Sequence, residues 1–305
     1  MRNVTKVFQA ISMASLFFGV GHAAEPSATE VLARLDAAKT APQLVAAIDA
    51  VKKLGPGAMP TLEAYAFDAS KEPRVRMVVL RKVIAARSGN HASNTLQDLI
   101  GSSSDENFRA LCAEELGRKP SPGGRALLKK LLFDSKESAH VQLAAAMGLA
   151  EMGDDAGKDR AKNAVLQNEP WANLAVRVLE KLKAKDVIAQ IDQQARNAPD
   201  AHDRGSARIA SLKLQLVDKS PVDRLGILEE ALRDKESREV RKWAAMRLAD
   251  IGSLEAGERL ASVVNSGDSA LADTAMRGLR MGIERKAWTK EKVKAWVGAG
   301  GQHNH

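Results

Sequence analysis

Residues 232–252 read LRDKESREVRKWAAMRLADIG, and residues 132–153 read LFDSKESAHVQLAAAMGLAEMG; with one gap, twelve positions are identical, from the acidic turn to the final glycine. A self-match of this kind marks a chain assembled from copies of one structural unit. Within each copy the apolar residues fall on one helical stripe. Val141, Ala145, Leu149 and Met152 step by 4, 4 and 3, and so do Val240, Ala244, Leu248 and Ile251, which keeps them on one side of a 3.6-residue helix. The small alanine in the middle lets neighbouring helices approach. Gly153 and Gly252 follow where a helix stops most easily, in the left-handed region.

Outward from these copies, the late stripe residue serves as a ruler. Val83, Leu116, Leu149, Leu179, Leu248 and Leu279 are equivalent, at spacings of 33, 33, 30, 69 and 31 residues. The long interval hides one further unit around GSARIASLKLQL (205–216), whose register the sequence leaves open. A first helix precedes each ruler helix, as in RALLKKLLFD (125–134) and DRLGILEEALRD (223–234), where Ser220, Pro221 and Asp223 form an N-terminal helix signal. One such pair buries only one side, so stacking is what completes the core. The expected fold is all-α: a right-handed α-solenoid of about seven helix-pair repeats.

The pattern Asp-x(6–7)-Val-Arg-x2-Ala-Ala-x2-Leu-x3-Gly resembles HEAT repeats, specifically the short HEAT-like type also found in phycobilin lyases. DKESREVRKWAAMRLADIG (234–252) carries it best. FDASKEPRVRMVVLRKVI (67–84), SDENFRALCAEELG (104–117) and LGPGAMPTLEAYAFD (54–68) carry parts of it, and the resemblance covers residues 40–282. It implies a ladder between repeats, made by the turn aspartates Asp68, Asp134 and Asp234 with Arg76, Arg109 and Arg241; Gln142 stands where one arginine is expected. It also implies function classes: scaffolds, adaptors and a few enzymes.

The ends differ from the repeats. MRNVTK, then VFQAISMASLFFGVG, then GHAAEPS is the order of a secretory signal peptide, with cleavage expected near Ala23 or Ala24 and no cysteine there for a lipid anchor. The expected domains are a signal peptide (1–24), the repeat array (25–282), a C-terminal capping helix (283–299) and a disordered tail (300–305). In the capping helix Thr289 is the N-cap, and Trp288 packs on Val293 as a hydrophobic staple. The mature chain is expected in a periplasm or outside the cell. Its formal charge falls from +8 to +6 when Arg2 and Lys6 are removed, which permits anionic partners without demanding them. A single cysteine, Cys112, means that no internal disulfide staples the fold.

Chemistry is sparse in the sequence. Cys112 occupies the stripe position of Ala145 and Ala244 and reads as core. The mature histidines, His91, His140, His202, His303 and His305, form no HExxH motif or Cys/His cluster. His303 and His305 could at most chelate weakly from the tail. No catalytic, metal or cofactor constellation is assigned, although an enzyme built from remote residues stays open. Trp171 replaces Val141 and Val240 and reads as core, whereas Trp243 lies beside the stripe, in the core or bordering a groove.

The face of each second helix turned from the stripe is the expected concave groove. Two places before the ruler stand Arg81, Glu114, Met147, Arg177, Met246 and Arg277; four earlier stand Met77, Ala110, Leu143, Asn173, Lys242 and Asp273. Mixed Arg and Met suit a peptide or protein better than nucleic acid, which wants basic columns throughout. The candidate groove residues are Arg81, Met147, Arg177, Lys242, Trp243, Met246 and Arg277. Two other classes compete with an exported scaffold: a lyase-type enzyme, implied by the resemblance, and a polyanion-binding module, permitted by the charge.

Overall fold

The computed structural model describes residues 26–87, 90–235 and 237–300; the expected signal peptide (1–24) and the expected disordered tail beyond residue 300 lie outside them. The described residues are helical, joined by turns, with no strand among them. The chain divides after Ala86 into two compact units. The first holds α1 (Ala28–Ala37), α2 (Ala41–Lys53), α3 (Met59–Phe67) and α4 (Pro73–Ala86), with a single 3-10 turn at Pro56–Ala58. α1 packs on α2 and α3 on α4. Ser27 with Glu30 and Thr40 with Gln43 close reciprocal capping boxes, satisfying backbone donors that a helix start leaves open. Tyr65 donates its hydroxyl to Asp36, which also meets Lys71 Nζ at 2.7 Å. Burial works to raise the Asp36 carboxyl, but the Lys71 and Tyr65 hydrogen bonds outweigh it and hold the group below the usual carboxylate range.

The second unit continues as pairs: α5 (Asn90–Ser102) with α6 (Glu106–Gly117), α7 (Pro122–Phe133) with α8 (Ala139–Glu151), and α9 (Lys158–Leu166) with α10 (Ala172–Lys181). Next come α11 (Ile188–Asn197) with α12 (Ala201–Gln215), α13 (Pro221–Leu232) with α14 (Arg238–Ile251), and α15 (Leu254–Val264) with α16 (Ser269–Glu284); α17 (Lys290–Gly300) closes the set. Consecutive second helices touch in the order α6, α8, α10, α12, α14 and α16. This is the HEAT-type α-solenoid arrangement, with eight pairs among the described residues. The extra pair beyond the ruler's count is α1 and α2, which precede its first mark.

The stripe explains why the helices stack. Its small residue is Val79, Cys112, Ala145, Ala175, Ala244 or Ala275, each 0% exposed. The hidden unit now has a register. Lys183 and Gly252 take positive φ four residues after Leu179 and Leu248, and Asp218 (φ 58) does so four residues after Leu214. Leu214 is therefore the missing mark, with Ala210 as its small residue at 4% exposure. Cys112 is a core thiol, as its register predicts.

Two expectations need correction. Trp171 is 39% exposed. It is the N-cap of α10, because the left-handed Asn168 and the Glu169–Pro170 step delay the helix start until Ala172. Its ring instead lies flat on His140, centroids 3.6 Å apart and planes within 5°. The interhelical ladder also uses different acids. Asp68 and Asp134 turn their carboxylates onto their own turns, at Ser70 and the Lys136 amide. Arg76 and Arg109 donate through Nε to the carbonyls of Ala66 and Ile100, both at 3.1 Å. The far end of Arg109 meets Glu137 at 2.5 Å and that of Arg241 meets Asp268 at 3.6 Å, acids at the start of the next repeat's second helix. Gln142 keeps the carbonyl bond, to Asp134 at 2.9 Å, and hands its oxygen to Arg160, which grips Glu169 through both guanidinium nitrogens. The turn aspartates serve their own turns, and an acid one repeat on, Glu137 or Asp268, meets the arginine.

α17 ends the array. Thr289 Oγ1 accepts from the Lys292 amide at 3.2 Å, and both Trp288 and Val293 are buried. Trp288 donates Nε1–H to the Ser253 carbonyl at 3.0 Å and meets Trp296 edge-on. The two indoles lie against Gly282 and Gly257, where a side chain would collide with them.

Candidate functional site

The expected groove divides into two stretches that behave oppositely. Along α6, α8 and α10 it is closed. Arg177 reaches across a whole repeat to Glu114 at 3.2 Å, and Met147, the equivalent residue between them, is 5% exposed. Ala110 and Leu143, one turn earlier on their helices, are buried as well. The cause is backbone proximity. Gly117 and Gly148 face each other with room for no side chain, and a Cβ on Gly148 would stand 2.5 Å from the Ala113 carbonyl oxygen. Helices this close leave no trough between them.

Along α12, α14 and α16 the same face is open. A cavity of 330 Å³ lies between α10, α12 and α14, lined by Asn173, Val176, Ser206, Ala210, Lys213 and Trp243. A second, of 280 Å³, is lined by Glu180, Lys213, Arg224, Leu228, Trp243 and Arg247. A third, of 540 Å³, takes Lys242, Trp243, Met246, Arg277, Met281 and Arg285. Trp243 lines all three, and Lys213 lines the first two. A separate cavity of 280 Å³ is bordered by Asp192, Arg204, Arg208 and Asp234, with Arg208 and Asp192 paired at 3.4 Å.

Charge along the open stretch is uneven. Asp250 is held by Arg247 at 2.9 Å and by Arg285 at 2.7 Å. Lys213, Arg224, Lys242 and Arg277 make no side-chain hydrogen bond or ion pair with a described residue. Burial pushes the Lys213 ammonium below the ordinary lysine range; Glu180 opposes that push and Arg247 adds to it. The Trp243 ring lies under the Arg247 guanidinium at 5.9 Å, and its indole N–H is buried without an acceptor among the described residues. An unmet buried donor costs about 1–3 kcal/mol, so the fold has not fixed this ring through its polar edge.

Of the residues singled out from sequence, Lys242, Trp243, Met246 and Arg277 come together in the third of these cavities. Arg177 instead clamps the closed stretch, and Met147 lies buried beneath that clamp rather than lining a groove. Arg81 is exposed on α4 in the first unit. Sequence reasoning missed Lys213, Arg247 and Arg285. Lys213 was recoverable: once Leu214 is the mark, Lys213 and Arg247 occupy the same place, one residue before it. Among the described residues no group of His, Cys, Asp or Glu could hold a metal ion, and no described helix is long and apolar enough to cross a membrane.

The paired helices with alanine stripes are similar to a known repeat over part of the chain. Residues 93–173 match the family of HEAT repeats. The matched HEAT-repeat span runs from α5 to the start of α10, so it falls on the closed stretch and stops short of most of the open one. No curated protein matches the chain.

Proposed function

We propose that the protein is an exported, non-catalytic HEAT-repeat scaffold or adaptor that holds a protein or peptide segment along the second-helix face of its second unit. The observation that carries this reading is the row of three cavities sharing Trp243. A partly exposed indole flanked by Met246, Met281 and arginine side chains is the composition of a recognition surface, with an aromatic anchor and adaptable apolar neighbours. The working residues are Lys242, Trp243, Met246 and Arg277, joined by Lys213 and Arg247. The basic, apolar and small-residue order of the first 24 residues supports export, to a periplasm or outside the cell.

Two measurements test the reading. Photo-crosslinking from position 246 in the native envelope, followed by mass spectrometry, should recover a protein partner that position 130 on the first-helix side does not. Recovery of nothing from position 246 under several growth conditions counts against a scaffold. Sequencing the N-terminus of the mature protein should begin near Ala24 or Glu25; an intact Met1 in a cytoplasmic fraction would remove the export half.

A further inference from the structure

We propose that the open stretch is specific for an acidic peptide segment, one whose Asp or Glu carboxylates are spaced around a large apolar residue that seats on Trp243. This rests on the peptide-holding reading above and adds its chemistry.

Four cations supply the first ground. Lys213 on α12, Arg224 on α13, Lys242 on α14 and Arg277 on α16 border cavities that share Trp243, and none is answered by a carboxylate of the described residues at bonding distance. The other cations of the site, Arg247 and Arg285, share one acid, Asp250. A folded chain that leaves several positive groups unpaired around one hollow offers that hollow to negative charge, and focusing in a cleft strengthens the offer.

The second ground decides between kinds of anion. Glu180 and Asp250 stand among the cations, and Asp203 and Glu239 border the cavity next to them. A phosphate backbone presents charge at every step and would meet these acids; a peptide places carboxylates only where they are wanted. Trp243, Met246 and Met281 give an apolar floor in the same hollow, which suits a Leu, Ile, Met or Phe side chain between two acids. A small tilt of the indole presents its unanswered N–H to the same ligand, as a donor to a peptide carbonyl or carboxylate.

The test is selection of a random-peptide library displayed on beads against the full-length mature chain at low ionic strength. The expected survivors carry two or more acids around a large apolar residue. A synthetic survivor should lose about tenfold or more in affinity when its Asp and Glu become Asn and Gln, and a similar amount between ~50 and ~500 mM salt, where charge pairs are screened. Lys213→Met and Arg277→Met should each weaken it about fivefold or more with helicity retained and the thermal midpoint not lowered, while Lys130→Met on the first-helix face leaves binding unchanged.

Neutral or basic survivors overturn the acidic preference and leave the peptide-holding reading standing. No survivors above an unrelated bait bring down both. Acidic survivors whose affinity ignores the Lys213 and Arg277 changes place the site elsewhere and overturn this assignment. A single-stranded oligonucleotide that displaces the acidic peptide at equal salt overturns it in favour of a general polyanion site.

Discussion

The stretch through α6, α8 and α10 and the stretch through α12, α14 and α16 use one repeat grammar for opposite ends. In the former, glycines replace side chains at the helix contact, backbones touch, and the Glu114–Arg177 pair seals Met147 below. In the latter, the place of Gly148 is taken by Lys213 on α12 and Arg247 on α14, the place of Met147 by Arg277 on α16, and with Trp243 they border cavities. The small alanine of the stripe is common to both. What separates them is side-chain size beside the stripe at a few places: Gly117 and Gly148 bring α6 and α8 into backbone contact, whereas Lys213, Trp243 and Arg247 border cavities along α12 and α14.

The largest effect should come from breaking the closed stretch. Gly148→Val puts a side chain against the Ala113 carbonyl and Leu128; overpacking of this kind costs about 3 kcal/mol, read by chemical denaturation. Gly278→Ala in α16 is its counterpart at the same place in the repeat, since a Cβ there meets nothing closer than 3.4 Å. That change should stabilise the chain by about 0.5–1 kcal/mol, through helix propensity and a less free unfolded chain. If both glycines respond alike, the contrast between the stretches is wrong.

Next in size is the acid response of the stack at the closed edge. Burial holds the His140 imidazole below the ordinary histidine range, although Glu106 and Glu114 pull the other way. The unfolded chain takes that proton near pH 6.5 while folded His140 resists it. Its stabilising contribution is therefore present above about pH 6.5 and drains away as pH falls through the folded value. His140→Phe, which keeps a ring against Trp171, should flatten this limb of the stability–pH curve by about 1 kcal/mol per pH-unit difference between the two states.

A milder test sharpens the contrast by chemistry. Under peroxide, Met246 and Met281 should oxidise before Met147, and Arg177→Ala should speed Met147 alone at a cost of about 0.5–1 kcal/mol in stability. Peptide mapping by mass spectrometry reads the order. The smallest effect concerns Lys213: its folded ammonium is disfavoured, so at neutral pH it subtracts stability that returns only as pH approaches the unfolded lysine value. Lys213→Met should stabilise the protein by up to ~1 kcal/mol while peptide binding falls, the signature of a residue kept for a ligand.

Much of this fold was legible because its signals are local and periodic. The stripe, the caps at Ser138, Ser220 and Ser237, and the left-handed glycines at 153 and 252 each stand within one repeat of what they determine. Glycine is not the only residue to end these helices: Lys183 follows the mark Leu179 in the same backbone, and Asp218 does so without announcing it, which hid the unit ending at Leu214. Trp171 misled because one proline shortened its helix and moved it from third residue to cap. The site was half legible. Lys242, Trp243, Met246 and Arg277 followed from ruler arithmetic, but closure over Met147 depends on a pair 63 residues apart, and no periodicity reports how tightly repeats curl.

The tryptophan lid on α17 has a consequence for assembly. A stack of helix pairs has an adhesive last surface, onto which a further pair from any copy could add. Here Trp288 and Trp296 occupy that surface from within the chain. Removing residues 285–300 should bare the Gly257 and Gly282 surface that the two indoles cover and promote association of one copy with another, read by light scattering.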